Sequence, residues 1–255
     1  MKVPSYHVIL VEPAFEESIG FVARVMKNFD LNTLHLVNPA ITLGSQGRMR
    51  GAHAQEILDN MKIQSSLSDA IRDLDFAVGT SAQKAHSSSN LIRKPMSPKE
   101  LASVVSSHTG KIGIVLGREG TGLNNHELSL CDAVVTIPTA EAYPTLNISH
   151  AAAIIFYELF QSEPSNNTEE LASQAVRETI ILYLSESMKT VGAEDYKIGL
   201  TARAMRNIMG RSAIRRREGS LIAGAFRQIS QAFSGQRAIA GSNPGPALVN
   251  VRLED

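Results

Sequence analysis

Two short stretches constrain this 255-residue chain more than any others. Residues 117–123 read Gly-Arg-Glu-Gly-Thr-Gly-Leu, and residues 144–149 read Pro-Thr-Leu-Asn-Ile-Ser. Each follows an apolar run of strand character, residues 112–116 and 133–137, and each precedes a segment of helical character. Strand-ending loops of small, polar and glycine residues present backbone amides and carbonyls to a small molecule. The first is not a P-loop, because no Gly-Lys-Ser/Thr follows it, and it lacks the Gly-x-Gly-x-x-Gly spacing of a dinucleotide fold. Glu119 also stands where a phosphate-binding loop avoids a carboxylate. The pair of loops therefore suits a ligand other than a nucleotide phosphate.

The rest of residues 1–160 alternates in the same way. Strand character recurs at residues 6–11, 33–37 and 76–79, and helical spacing at 17–29, 54–61 and 146–160. Ser97 is a predicted helix cap, with Pro98 at the first helical position and Glu100 closing the capping box. Residues 40–51, rich in Gly, Ser and Arg, read as a mobile loop, and residues 81–97 as a loop near the substrate. Such alternation predicts an α/β domain with a mostly parallel sheet. Beyond it, polar residues 161–170 read as a linker. Helical pieces at 168–188, 196–209, 212–218 and 220–233 make a small all-helical extension over 171–238, and 239–255 reads as a flexible tail.

No apolar run approaches the length of a membrane span, and no basic-then-apolar leader opens the sequence, so a cytoplasmic protein is expected. The single cysteine, Cys131, reads as a small, partly buried side chain, and no Cys/His spacing suggests a metal. Net charge is zero but unevenly spread. Residues 1–160 hold 13 basic and 15 acidic side chains, whereas residues 196–227 hold eight basic and one acidic. Arg203, Arg206, Arg211, Arg215, Arg216 and Arg217 lie in that basic segment. Arginine grips phosphate oxygens in pairs, and so few acids intervene that the cluster is read as an RNA-backbone surface. The scarcity of aromatics argues against a stacking platform for single strands.

The two loops resemble motifs two and three of the SpoU branch of the SPOUT RNA methyltransferases. Motif one is matched by the helix containing Ser18, Gly20, Arg24, Met26 and Asn28. Residues 36–39, Gly51, Ala52 and His53 with Glu56, Ile57 and Leu58, and residues 78–82 also look like the family, in the expected order over roughly residues 5–160. The resemblance implies a parallel sheet with a C-terminal trefoil knot, a feature that periodicity alone never predicts. It also implies S-adenosylmethionine as cofactor, bound by Thr80, Ser81, Ala82, Gly117, Gly122, Ile137, Pro144, Thr145 and Leu146. The catalytic residues it implies are Arg24 at the target ribose, Glu119 beside the cofactor, and Thr145 and Asn147 from motif three.

Read without the family, Arg24 is a solvated helix arginine, Glu119 a helix-start carboxylate, and Thr145 and Asn147 helix caps. An arginine is a poor base, so electrostatic positioning is its expected role. Methyl transfer mainly demands in-line approach and needs no metal. One departure is Ser18, where motif one usually carries an asparagine. His126 and His150 have no partner at metal spacing and read as polar surface or packing residues.

A basic helical extension after such a domain resembles the TrmJ group of tRNA methyltransferases, which act on the ribose 2′-oxygen of nucleotide 32 in the anticodon loop. The resemblance leaves cytidine alone or cytidine and uridine open as targets. It implies a homodimer paired through the motif-one helix and the helix after motif three, with tRNA as partner. The alternatives are a ribosomal RNA ribose methyltransferase and a non-catalytic RNA-binding protein on the same fold.

Overall fold

The structure, a computed structural model, describes residues 4–82, 95–106, 108–162 and 169–239. Six parallel strands form its centre: β1 (Ser5–Val11), β2 (Thr33–Val37), β3 (Lys62–Gln64), β4 (Phe76–Thr80), β6 (Lys111–Leu116) and β7 (Ala133–Val135). They lie in the order β3-β2-β1-β6-β4-β7. The chain thus builds outward from β1 on one side and fills the other side later, so the crossover direction reverses between β1 and β6. Sheets of this kind hold ligands at the carboxyl ends of strands near such a reversal. A separate two-stranded ladder joins β5 (His108–Thr109) to β8 (Glu169–Glu170).

Both sheet faces are covered, which explains the continuous apolar strands. Val8 and Leu10 of β1 point to one face with Ile114, Phe76 and Val78. That face is packed by α1 (Glu16–Asn28), α3 (Gln55–Asp59), α5 (Pro98–Ser106) and α7 (Ile148–Gln161) through Ile19, Met26, Leu58, Leu101 and Phe156. The alternate residues Ile9 and Val11 point to the other face. There they meet Leu67 and Ile71 of α4 (Leu67–Ile71), Leu128 of α6 (Asn125–Leu130), and Cys131. The helix starts follow local chemistry. Ser97 and Glu100 hydrogen-bond reciprocally at α5, and Asn124 and Glu127 form a capping box at α6.

Residues 45–51 depart from the expectation of a loop. They form a helix, α2 (Ser45–Gly51), pressed against α1. Residues 83–94, the larger part of the loop expected near the substrate, lie outside the described residues, as do 163–168 of the expected linker and 240–255 of the expected tail.

Three helices follow: α8 (Gln174–Thr190), α9 (Asp195–Ser212) and α10 (Arg216–Ile239). The two final helical pieces expected from sequence are one continuous helix, because Gly219 is a packing residue and not a stop. A Cβ there would lie 2.8 Å from that of Ala172. Ala172, Ile180, Met209 and Ile214 form a small apolar cluster of these helices, while Leu171 and Ala213 join the main core. A buried ion pair ties the layers together. The Arg177 guanidinium donates to both carboxylate oxygens of Asp132, at 2.9 and 2.8 Å, and to the carbonyls of Asp75 and Ala172. Gly210 of α9 touches the Asp132 carbonyl so closely that an added Cβ would sit 2.0 Å from it. Among the described residues no helix is long and apolar enough to cross a membrane.

Candidate active site

The loops after β4, β6 and β7 converge with the start of α7 around one cavity of about 270 Å³. All nine residues expected at the cofactor line it: Thr80, Ser81, Ala82, Gly117, Gly122, Ile137, Pro144, Thr145 and Leu146. Leu116, Val135, Ile148 and Ile155 add apolar wall.

Side-chain hydroxyls and backbone groups stitch the loops together. Thr80 Oγ1 donates to the Val115 carbonyl at 3.0 Å, and Thr136 Oγ1 donates to the Ser81 carbonyl at 2.7 Å. The Ser81 amide donates to the Val135 carbonyl at 3.0 Å. The glycine loop doubles back tightly, with the Gly122 amide donating to the Arg118 carbonyl at 2.9 Å. Two glycines shape that turn. Gly122 has φ of 68°, in the left-handed region. A Cβ on Gly117 would lie 2.3 Å from backbone atoms of Gly122 and Leu123.

Arg118 is a site-building residue that the sequence did not reveal. Its guanidinium pairs with Glu12 at 2.7 Å and bidentately with Glu127 at 2.8 and 3.0 Å, and it also donates to the Gly122 carbonyl. Its hydrogen bonds to the carboxylates of Glu127 and Glu12 hold its proton more firmly than usual. Arg118 in turn, with Asn38, holds the Glu12 carboxyl below its ordinary range. This arginine clamps the ends of β1 and β6 to α6 and offers no uncompensated charge to a phosphate.

Glu119 lines the cavity from the same turn. One carboxylate oxygen accepts from the Ala14 amide at 3.2 Å, while the other is buried with no hydrogen-bond partner among the described residues. A buried acceptor left alone is costly, so this oxygen favours a donor or cation arriving with the ligand.

The four expected catalytic residues divide into two pairs. Glu119 and Thr145 line the cavity; Arg24 and Asn147 do not. Arg24 is exposed on α1. Asn147 caps α7, its Oδ1 accepting from the Ser149 amide at 2.9 Å and from the Ser149 hydroxyl at 2.8 Å. Ser18 is buried at 8% exposure.

The basic segment also divides. Arg203 is buried and donates to the carbonyls of Ser129 and Cys131, and Arg206 is held bidentately by Glu178 at 2.5 and 3.0 Å. The expectation that these two face RNA is corrected: they pack α9 against the sheet edge and α8. Arg211, Arg215, Arg216 and Arg217 are exposed, with Arg216 paired to Glu170 at 2.8 Å. Cys131 is fully buried, and burial pushes its thiol up to about 12. Among the described residues no group of three or more His, Cys, Asp and Glu could hold a metal ion. His126 and His150 are exposed.

The sequence pattern of the SpoU rRNA methylase family matches residues 5–157, which spans every strand that carries a cavity loop. The chain belongs to the SpoU family. A relative within it, the tRNA (cytidine-2′-O-)-methyltransferase TrmJ of Methanocaldococcus jannaschii, is 37% identical over 225 residues, 86% of this chain and 97% of its own. Among solved structures, TrmJ from Z. mobilis ZM4 superposes with a TM-score of 0.68 at 25% identity, covering 89% of this chain and 99% of that one. The SpoU methyltransferase AviRb from Streptomyces viridochromogenes, solved in complex with AdoMet, shares the fold at a TM-score of 0.50 and 18% identity, over 63% of this chain and 61% of its own. The SpoU match ends within α7, so the helices α8 to α10 lie outside it, whereas the match to the archaeal relative covers 86% of the chain and reaches into them.

Proposed function

We propose that the chain is an S-adenosylmethionine-dependent tRNA 2′-O-ribose methyltransferase. The observation that carries this reading is the convergence of nine motif residues from separate loops on one cavity. It is supported by a tRNA methyltransferase relative that matches 86% of the chain. The cavity fits the cofactor chemically. Its apolar walls suit an adenine, its loops are rich in backbone donors and acceptors, and the Glu119 oxygen left without a hydrogen-bond partner among the described residues suits a cationic ligand.

S-Adenosylmethionine supplies a sulfonium-bound methyl group for transfer to an attacking oxygen. The chain's own residues position that attack. Gly117 and Gly122 let the backbone close on the ligand, Glu119 presents its unpartnered oxygen, and Thr145 offers a hydroxyl at the cavity mouth. Positioning of this kind is the main catalytic demand.

Arg24 and Asn147 stand on the ribose side in this reading, and Arg24 reaches a cavity across a homodimer. The support is an exposed apolar stripe beside it. Phe21 of α1 is 38% exposed, and Ile154, Tyr157 and Phe160 of α7 are 38%, 48% and 62% exposed. Phe29 joins the two helices through ring contacts with Tyr157 and Phe160. Exposed apolar surface of this extent favours a partner. We read the end of the sheet with β6, β7 and α7 as the knotted region, nucleotide 32 of the anticodon loop as the target, and Arg211, Arg215, Arg216 and Arg217 as phosphate contacts. We place the enzyme in the cytoplasm.

Calorimetric titration with S-adenosylmethionine tests the pocket. Wild type should bind, and Gly117→Val should not, because the valine Cβ would strike the Gly122–Leu123 backbone. Arg24→Ala and Asn147→Ala should keep cofactor affinity and lose methylation of tRNA. Undiminished binding by Gly117→Val would show that the cofactor lies elsewhere.

A further inference from the structure

Helix α2 contributes no apolar side chain to the core. Its only buried residues are Gly47 and Gly51, and its sequence holds two arginines and no acid. A seven-residue helix of this composition has little reason to form alone. Contacts with α1 hold it instead. Glu16 of α1 accepts from the Gly44 and Gly47 amides at 2.6 and 3.1 Å, satisfying donors at the start of α2. Gly20 and Gly47 bring the two backbones together, since a Cβ on Gly20 would lie 2.0 Å from the Gly47 carbonyl oxygen. That built-in helix presents Arg48, Met49 and Arg50 to solvent.

The two arginines differ. Arg48 pairs with Asp59 at 2.7 Å and reaches Gln55. Arg50 has no carboxylate partner among the described residues, and its guanidinium lies over the Phe21 ring at 5.5 Å from the centroid. The Gly20 position on α1 approaches Arg50, a hypothetical Cβ there lying 2.9 Å from the Arg50 Cβ. Arg24 stands one helical turn further along the same face of α1. It too is exposed and unpaired with any acid among the described residues. Two exposed arginines therefore stand on adjoining helices, on a part of the molecule that carries slightly more acidic than basic residues. Arginine's fork suits phosphate oxygens, and an aromatic ring beneath it fixes the fork while leaving its edge exposed.

We infer that Arg50, displayed by α2 beside Arg24, is a further RNA-binding residue that grips a backbone phosphate of the substrate. The inference rests on the tRNA-methyltransferase reading above. Its test uses the full chain, a tRNA transcript, and Arg50→Ala and Arg50→Lys. Each is assayed for tRNA affinity across a salt series, cofactor affinity, and sedimentation. Arg50→Ala should raise the tRNA Kd several-fold and lower the log–log salt slope by about 0.7–0.9, the share of a single neutralised phosphate. Cofactor affinity and sedimentation should be unchanged, and Arg50→Lys should recover most of the slope because the point charge remains. An unaltered slope in Arg50→Ala overturns the inference. So does an altered sedimentation coefficient with the slope intact, which would assign the arginine to a contact between subunits. If wild type itself neither binds nor methylates tRNA, the underlying reading fails instead.

Discussion

Arginines of the helical layer come from similar sequence and meet opposite environments. Arg177, Arg203 and Arg206 are turned inward, onto Asp132, the carbonyls before β7, and Glu178. Arg211, Arg215, Arg216 and Arg217 face solvent around the end of α9 and the start of α10. The inner set serves the fold, because a buried guanidinium persists only where carboxylates or carbonyls saturate it. The outer set stands where a polyanion can approach. Counting arginines along the chain overstates the exposed basic surface and hides a structural joint, for the same residue type stands both inside and outside within a few turns of helix.

Removing an inner arginine should have the largest effect. Arg177→Ala leaves Asp132 buried without its cation, which should cost about 3–5 kcal/mol and lower the melting temperature on the order of 10 °C in a chain of this size. Thermal unfolding followed by circular dichroism measures it. A variant that melts like wild type would show that the joint is dispensable and that the inner and outer arginines are alike.

The outer set should show the converse pattern. Replacing Arg215, Arg216 and Arg217 together by alanine should change stability by less than about 1 kcal/mol, since exposed pairs such as Arg216–Glu170 contribute little. It should lower the salt slope of tRNA binding by roughly 0.7–0.9 for each phosphate no longer neutralised. The effect should be equal across sequences, because phosphate contacts carry no base information. Filter binding at several salt concentrations reads this directly, and an unchanged slope would make the cluster a solvated face.

A smaller, pH-dependent effect separates the sheet from both sets. His7 and His35 lie on adjacent strands with ring nitrogens 3.1 Å apart. Burial, followed by the charges of His35, Lys111 and Lys62, lowers the His7 pKa from 6.5 to about 4. Burial also lowers that of His35. The unfolded chain therefore binds more protons than the folded chain between those values, so this contribution to stability is complete above about pH 6.5 and is lost as pH falls toward 4. Melting temperature should drop by a few degrees across that window, and His7→Gln should flatten the drop. A His7→Gln variant with the wild-type pH profile would exclude this pair as the cause.

The cavity was legible in the sequence because its residues are those a tight strand-ending loop demands. Gly117 meets a steric requirement that no side chain can satisfy and Gly122 holds a left-handed φ that side chains rarely adopt, and such requirements leave a visible pattern. The edge strand β3 was not legible, since Ile63 is 65% exposed and no apolar run marks it. Helix α2 lacks an apolar face, and its stability comes from Glu16 and from backbone contact with α1 some thirty residues earlier. Arg203 and Arg206 read as surface residues because their partners are remote, Ser129 lying 74 residues away and Glu178 lying 28. Arg118 was hidden inside a motif read for its glycines, although the acid it grips, Glu127, also closes the capping box of α6.

The most direct test of the account is mass mapping of a tRNA transcript incubated with the purified chain and S-adenosylmethionine. Wild type should form one ribose-methylated nucleotide, resistant to alkaline cleavage on its 3′ side, which should be absent with Gly117→Val and with Arg24→Ala. A methyl group on a base, or no methylation of any tRNA by a chain that binds the cofactor, would contradict it.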